Sequence, residues 1–136
     1  MTLREHQESF SKDTVRLYNR IIDSGYTFTY GEAYRTELQA WVNSQKPNSH
    51  IECVAIDGSV TKFPGSVGGV GISKSLHMSR LAVDVNIFHL GALITDKKML
   101  QPIFDYWESL DPNNRSGGNF KPPAPYDYPH FERKFQ

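Results

Sequence analysis

The feature that most restricts the fold is a short segment, residues 82–88, in which every second side chain is β-branched and apolar. Because neighbouring side chains of an extended strand point to opposite faces, this pattern predicts a strand with one core face. That face carries Val83, Val85 and Ile87. The opposite face carries Asp84 between the small Ala82 and Asn86, with Phe88 beyond them. It is either a solvated outer face or a functional one.

Three segments have the spacing of amphipathic helices. Apolar residues recur at intervals of three and four over residues 6–24, and Gly25 is placed to end that helix. A short second helix is predicted over residues 36–43. A third helix, closed by Pro112, is indicated by apolar residues at helical spacing: Met99, Ile103, Phe104, Trp107 and Leu110.

The remaining segments predict short strands and long loops. Tyr26, Phe28 and Tyr30 alternate with threonines and favour a strand, and residues 129–132 favour another. Residues 91–96 suggest a hairpin continuation of the central strand. We expect loops at 44–73, around a brief apolar piece at 51–56, and at 113–129. The prediction is one α+β domain of residues 1–136, with a small, mostly antiparallel sheet flanked by helices.

Charge and composition exclude several classes of protein. The 136 residues include 15 Lys and Arg against 15 Asp and Glu, whereas nucleic-acid binding needs a basic surplus on one face. No stretch approaches the roughly 18 apolar residues of a membrane span, and the N-terminus lacks the apolar run of a secretory signal. We therefore expect a soluble monomer, made in the cytoplasm without a signal peptide, whose single Cys53 forms no internal disulfide.

Two histidines and one aspartate form the candidate metal-binding set. His77 precedes Asp84 by seven residues, and His130 lies far along the chain in the final predicted strand. Two imidazoles and one carboxylate match the three protein ligands of a catalytic zinc site, which keeps a fourth position open for water. A lone histidine is more often packed or solvent-facing than a ligand, so the ordinary interpretation stays open for each. The zinc hypothesis places one ion per chain at the sheet face.

Two further residues are candidate catalytic groups. Asp127 lies three residues before His130, close enough to take a proton from a metal-bound water and return it to a leaving amine. Arg35, at the end of the aromatic strand, could clamp a substrate carboxylate or stabilise an oxyanion. The alternatives are an ordinary loop aspartate and an ordinary surface arginine.

Several residues are candidates for supporting roles. Glu132 shares a strand face with His130 and could orient that imidazole by a hydrogen bond, and the Ser75 hydroxyl could do the same for a ligand. Trp107 is expected in the core of the last helix. His50 and Cys53 suggest a second metal site or a thiol nucleophile, but a lone cysteine is more often a small buried apolar residue.

A resemblance to a known family rests on four segments. The signature Ser-x-His-x-x-Gly-x-Ala-x-Asp belongs to the zinc peptidases of the D-alanyl-D-alanine carboxypeptidase and L-alanyl-D-glutamate endopeptidase family. It resembles the run Ser75-Leu76-His77-Met78-Ser79-Arg80-Leu81-Ala82-Val83-Asp84. Three more segments look like family motifs. Tyr34-Arg35-Thr36 resembles the segment of the substrate-binding arginine, and Trp107 through Gly117-Gly118-Asn119-Phe120 resembles the Trp and Gly-Gly region. Residues 127–132 resemble the acid-x-x-His motif. Together they span about residues 30–132.

The resemblance implies a role for each candidate. His77, Asp84 and His130 would ligate zinc, Asp127 would be the general acid and base, and Arg35 would orient substrate or stabilise the oxyanion. It also implies that Trp107 lies near the cleft. Two positions depart from the family pattern. Arg80 replaces the usual glycine, so that the turn must differ or tolerate a side chain and the substrate rim is altered. Asp127 stands where glutamate is frequent and is one methylene shorter.

The function implied by the resemblance is zinc-dependent hydrolysis of peptidoglycan stem peptides. In lacking a signal peptide and a separate wall-binding module, the sequence is similar to phage endolysins. Such a protein is made in the host cytoplasm and acts on the wall after release. This favours cleavage of the L-Ala–D-Glu bond for host lysis. The alternatives are a D-Ala-D-Ala carboxypeptidase or dipeptidase, and a non-catalytic wall-binding virion module that keeps the zinc fold. The retained Asp127 argues against the last.

Overall fold

Helices pack against one face of an antiparallel sheet in the computed structural model, which describes residues 1–63, 65–69 and 74–135. Within those ranges there are three α-helices: α1 (Leu3–Asp23), α2 (Glu37–Asn43) and α3 (Lys97–Leu110). A short 3-10 turn covers Gly117–Asn119. None of the helices in these ranges has the length and apolar character needed to cross a membrane.

The strands form one larger sheet and one hairpin. The strands are β1 (Thr27–Tyr30), β2 (Glu52–Val54), β3 (Val60–Lys62), β4 (Ala82–His89), β5 (Ala92–Leu93), β6 (Asn114–Ser116) and β7 (His130–Arg133). The larger sheet has the order β1-β4-β7-β6, with β5 paired to β4, and every pairing in it is antiparallel. The predicted α+β class is confirmed, and β4 lies at the centre of the sheet as its alternating pattern indicates.

The long helices supply most of the core. α1 begins three residues earlier than predicted because Thr2 and Glu5 form a capping box, in which each side chain accepts from the backbone N–H of the other residue. The buried cluster joins both helices to the core face of the sheet: Phe10, Leu17, Ile21, Leu81, Val83, Val85, Ile87, Ile94, Leu100, Ile103, Phe104, Trp107 and Phe131. This packing leaves the opposite face of β4 and β7 uncovered by helix α1 or α3.

Strand register places the candidate residues in two neighbouring rows on that opposite face. Asp84 pairs with His130, and Glu132 pairs with Ala82 on one side and Arg115 on the other. Phe131 lies between His130 and Glu132 in sequence and is fully buried in the core. The prediction that His130 and Glu132 share one face of a short strand is therefore confirmed.

Two predicted loops contain secondary structure. The 44–73 segment includes the β2–β3 hairpin, and the 113–129 segment includes β6 and the 3-10 turn, so both loop predictions were wrong in part. Residues 64 and 70–73 of the first segment lie outside the described residues. The hairpin strands are exposed along their whole length and have no apolar face for sequence periodicity to reveal. Cys53, expected to be buried, is exposed on this hairpin.

Candidate metal centre

His77, Asp84 and His130 come together on the uncovered sheet face. Each offers one ligand atom, and these atoms all lie within 4.8 Å of one another. Oδ1 of Asp84 lies 3.3 Å from Nε2 of His77 and 3.0 Å from Nδ1 of His130. His77 is buried, whereas Asp84 and His130 are partly buried. The three residues proposed from the sequence therefore form a group that could hold a metal ion.

A tight turn ahead of β4 holds His77. The His77 N–H points to the hydroxyl of Ser75 at 3.3 Å, and the Arg80 N–H donates to the carbonyl of His77. Arg80 has φ 54°, in the left-handed region that glycine adopts most easily. The turn thus keeps a glycine-like backbone and tolerates the arginine side chain.

Asp84 is fixed by backbone contacts from the segment after β1. Its N–H donates to the carbonyl of Glu32 at 2.7 Å, and its carbonyl accepts from Gly31 at 2.8 Å. A Cβ atom at Gly31 would lie 2.9 Å from the Cβ of Asp84, closer than real side chains approach. Glycine is therefore required here for the chain after β1 to pass beside the carboxylate.

The two imidazoles differ in their hydrogen-bond partners. Nε2 of His130 lies 3.0 Å from Oε2 of Glu132, which leaves Nδ1 directed at Asp84. A carboxylate behind a ligating imidazole fixes its tautomer and raises its basicity. Nδ1 of His77 is buried and has no hydrogen-bond partner within the described part of the chain. The predicted Glu132–His130 contact is present, whereas Ser75 contacts the backbone of His77 and not its ring.

Charges around His130 stabilise its protonated form. Burial disfavours the charged ring, but hydrogen bonds to Asp84 and Glu132 outweigh it and raise the pKa of His130 to about 9. Burial likewise disfavours ionised Asp84, yet hydrogen bonds from His130 and His77 hold the pKa of this carboxyl well below its usual range. The same balance lowers the pKa of Glu132. Asp84 and Glu132 therefore stay ionised at the two ring nitrogens of His130.

Asp127 faces the same cavity as this group, and its backbone is held against Gly117. The Asp127 N–H donates to the carbonyl of Gly117 at 2.9 Å, and the Asp127 carbonyl accepts from the His130 N–H at 3.1 Å. Partial burial raises the pKa of the Asp127 carboxyl; the charge of His130 opposes this rise and the charge of Asp84 adds to it. A raised pKa suits a group that must both accept and return a proton.

Arg35 is held by a carboxylate three residues before it. Nε of Arg35 donates to both carboxylate oxygens of Glu32, at 2.9 and 3.0 Å, and Nη2 forms a further short contact. These bonds raise the pKa of Arg35 and lower that of Glu32, so both stay charged. With its Nε–Nη2 edge occupied by Glu32, Arg35 has only Nη1 left for another partner.

One cavity of about 730 Å³ is lined by the His77–Asp84–His130 group and by both candidate catalytic residues. Its lining also includes Arg115, Phe120, Glu132 and Lys74. Trp107 does not reach it: the indole is fully buried in the core, and its N–H donates to the carbonyl of Arg115 at 3.1 Å. The expected core position of Trp107 is confirmed, and it supports β6 from behind. Arg80 lies outside the lining and places its guanidinium 5.0 Å from the Tyr34 ring.

Sequence reasoning missed Glu32 and Arg115 at this site, and it named Gly117 only within the Gly-Gly region, without its contact to Asp127. Glu32 could have been found, since an acid three residues from Arg35 is at ion-pair spacing. Arg115 and Gly117 gave no such signal, because their partners Glu132 and Asp127 are set by strand register and chain reversal. A scan against models of protein families and a search of curated proteins both found no match to this chain.

Proposed function

We propose that this protein is a zinc-dependent peptidoglycan peptidase that cleaves the L-Ala–D-Glu bond of stem peptides, in the manner of a phage endolysin. One observation carries the proposal: a His-Asp-His group whose ligand atoms lie within 4.8 Å of one another shares a cavity with Asp127 and Arg35. The family resemblance in the sequence supplies the substrate class. A second indication is the carboxylate of Glu132 behind His130.

Zinc is the ion that this donor set favours. Structural and catalytic zinc sites use imidazole and carboxylate ligands, and catalytic sites combine three protein ligands with an open position. His77 through Nε2, Asp84 through a carboxylate oxygen and His130 through Nδ1 would hold the ion. Bound there, zinc would act as a Lewis acid that lowers the pKa of water and polarises the scissile carbonyl.

The proton transfers fall to Asp127. Its carboxylate accepts a proton from the attacking water and returns it to the nitrogen of the departing amine, so that the peptide carbon–nitrogen bond breaks with no net change at the enzyme. Arg35 stays cationic beside Glu32 and stabilises negative charge on the carbonyl oxygen through the nitrogen that Glu32 leaves free. Glu132 keeps the His130 ring in one orientation during the reaction.

Mass spectrometry of purified peptidoglycan fragments tests the proposal directly. The protein is incubated with zinc, and separately with a chelator. New N-terminal glutamate that appears only with zinc supports the endopeptidase, whereas released D-alanine indicates the D-Ala-D-Ala carboxypeptidase. No zinc-dependent product from any wall type would leave the binding-module alternative.

Two variants separate chemistry from metal binding. Asp127→Ala should lose turnover by at least about 100-fold while it keeps one equivalent of zinc, because the general base contributes a factor of roughly 10²–10⁴. Asp23→Ala, which removes an exposed carboxylate at the end of α1, is the matched control and should keep full activity. Unchanged hydrolysis in Asp127→Ala would contradict its assignment as base.

A further inference from the structure

Arg115 is a cavity residue to which the proposed reaction gives no role. It lies on β6 directly across from Glu132, one row along the sheet from the Asp84–His130 pair. Its neighbours in sequence, Asn114 and Ser116, are buried, so that β6 presents Arg115 alone to the site face. Two residues along a strand correspond to about 6.6 Å, which a long arginine side chain can span toward the metal-binding group.

The guanidinium of Arg115 has only some of its nitrogens paired. Nη2 forms an ion pair with Oε1 of Glu132, and the guanidinium carbon lies 5.8 Å from the centre of the Phe120 ring. The side chain is 42% exposed, yet its Nε is buried and has no hydrogen-bond partner among the described residues. Arg35, in contrast, gives three hydrogen bonds to Glu32. Arg115 is therefore the better placed of the two arginines to bind an anionic group of a ligand.

The charge of the cavity favours an anionic ligand once a divalent cation is bound. Its lining holds three cationic side chains, Arg35, Lys74 and Arg115, against three carboxylates, Asp84, Asp127 and Glu132. Glu32, bonded to Arg35 beside the lining, adds a fourth carboxylate, so the sum is one negative charge and a dication makes the net charge positive. Lys74 is an exposed ammonium without the planar fork that pairs with a carboxylate, which leaves Arg115 as the specific partner.

We infer that Arg115 forms a carboxylate subsite that binds the acidic group on the leaving side of the scissile bond. This rests on the proposed function and names the chemistry that the same site recognises. A glutamate in a peptide uses one of its two carboxyls for the next bond, so D-Glu in a stem peptide keeps the other free. A terminal D-Ala also keeps its carboxyl, directly beside the scissile nitrogen.

Two synthetic stem peptides provide the test. They differ only in the unlinked carboxyl of D-Glu, which is a free carboxylate in one and a carboxamide in the other. The wild-type protein with zinc should prefer the carboxylate by about 10- to 100-fold in kcat/KM, the range expected for one charge-assisted hydrogen bond. Arg115→Gln should lose this preference, mainly because kcat/KM for the carboxylate peptide falls. Arg115→Lys should restore part of the preference.

A second readout does not depend on turnover. The released D-Glu fragment is titrated into each zinc-loaded protein, and the dissociation constant is measured by calorimetry. Arg115→Gln should weaken binding of the carboxylate fragment by about 10-fold or more and leave the carboxamide fragment unchanged. Arg4→Gln removes an exposed arginine from α1 and is the control for loss of one positive charge.

The outcomes distinguish a carboxylate subsite from a purely supporting role of Arg115. If Arg115 only supports Glu132, Arg115→Gln will lower activity on both peptides equally and weaken zinc binding, and the subsite is overturned. It is also overturned if Lys74→Gln removes the preference and Arg115→Gln does not. If the wild-type protein cuts neither peptide, the proposed function fails, and the fragment titration still decides whether the subsite exists.

Discussion

Gly117 lies directly against the backbone of Asp127, and its carbonyl accepts the Asp127 N–H at 2.9 Å. A Cβ atom at position 117 would overlap the carbonyl oxygen of Asp127 and lie 3.0 Å from its Cβ. The position of the candidate base therefore depends on the absence of a side chain ten residues earlier.

Gly117→Ala should displace Asp127 and lower kcat without removing the metal. A shift of about 1 Å in a catalytic group can cost about 100-fold in rate, so we expect a loss of that order. Steady-state kinetics and zinc content by atomic absorption measure the two effects. Gly25→Ala is the control for a loss of stability alone: the site has open space but a left-handed φ of 81°, so this variant should be less stable and keep full kcat. Full activity in Gly117→Ala would show that Asp127 can move freely or is not the base.

Glu132→Gln should weaken zinc binding while the fold is retained. The carboxylate that lies 3.0 Å from Nε2 of His130 orients the ring, and loss of such a partner typically costs about 10- to 100-fold in metal affinity. Competition with a chromogenic chelator gives the dissociation constant. Glu37→Gln, on the exposed first turn of α2, is the matched control. An unchanged dissociation constant in Glu132→Gln would mean that Glu132 does not tune the ligand.

Arg80→Gly should leave zinc content and stability close to those of the wild type. Glycine relieves the left-handed backbone at φ 54°, worth roughly 1 kcal/mol, and the lost contact with the Tyr34 ring offsets about 0.5–1 kcal/mol of this gain. Arg80→Val, with a β-branched side chain at the same φ, should be clearly less stable. Urea unfolding measures both variants. Equal stability of the glycine and valine variants would contradict the left-handed turn.

Asp13→Ala should destabilise the fold severely. Asp13 lies on α1, does not line the cavity and takes no part in the proposed reaction. Oδ2 of Asp13 lies 2.5 Å from Nη2 of Arg133, and both side chains are almost fully buried. Removal of one partner from a buried ion pair costs about 3–5 kcal/mol, and without Asp13 the buried Arg133 keeps only its longer contact with Asp111, at 3.5 Å. Chemical denaturation with Asp23→Ala as the exposed control measures the difference. A loss below about 1 kcal/mol would exclude a structural role for this pair.

Much of the sheet could be predicted because its apolar side chains alternate. Val83, Val85 and Ile87 mark the core face of β4, and this alone places Asp84 on the other face. β6 escaped prediction because Asn114 and Ser116 are polar yet buried. The Asn114 amide donates to Asp13 at 3.1 Å and accepts from Arg133 at 2.8 Å, so its burial depends on partners 101 and 19 residues away in sequence. No local pattern carries that information.

The candidate site likewise has a part that could be predicted from the sequence and a part that could not. Residue type and the order of the motifs picked out His77, Asp84 and His130 as candidate metal ligands. Their spacing alone would not have sufficed. Of the contacts around them, the one between Glu132 and His130 could be predicted from their shared strand face, but the ion pair between Arg115 and Glu132 could not. Arg115 meets Glu132 only because β6 and β7 pair in one particular register, and register follows from the core packing of Phe131.

Strand β7 is four residues long and serves two purposes on opposite sides: His130 and Glu132 face the cavity, while Phe131 and Arg133 are enclosed beneath α1 and α3. Since alternation has a period of two, insertion of one residue within the strand, after His130, would exchange the two sides for every residue that follows and spoil both at once. The cavity and the core therefore share one four-residue strand, and neither can be rebuilt without the other.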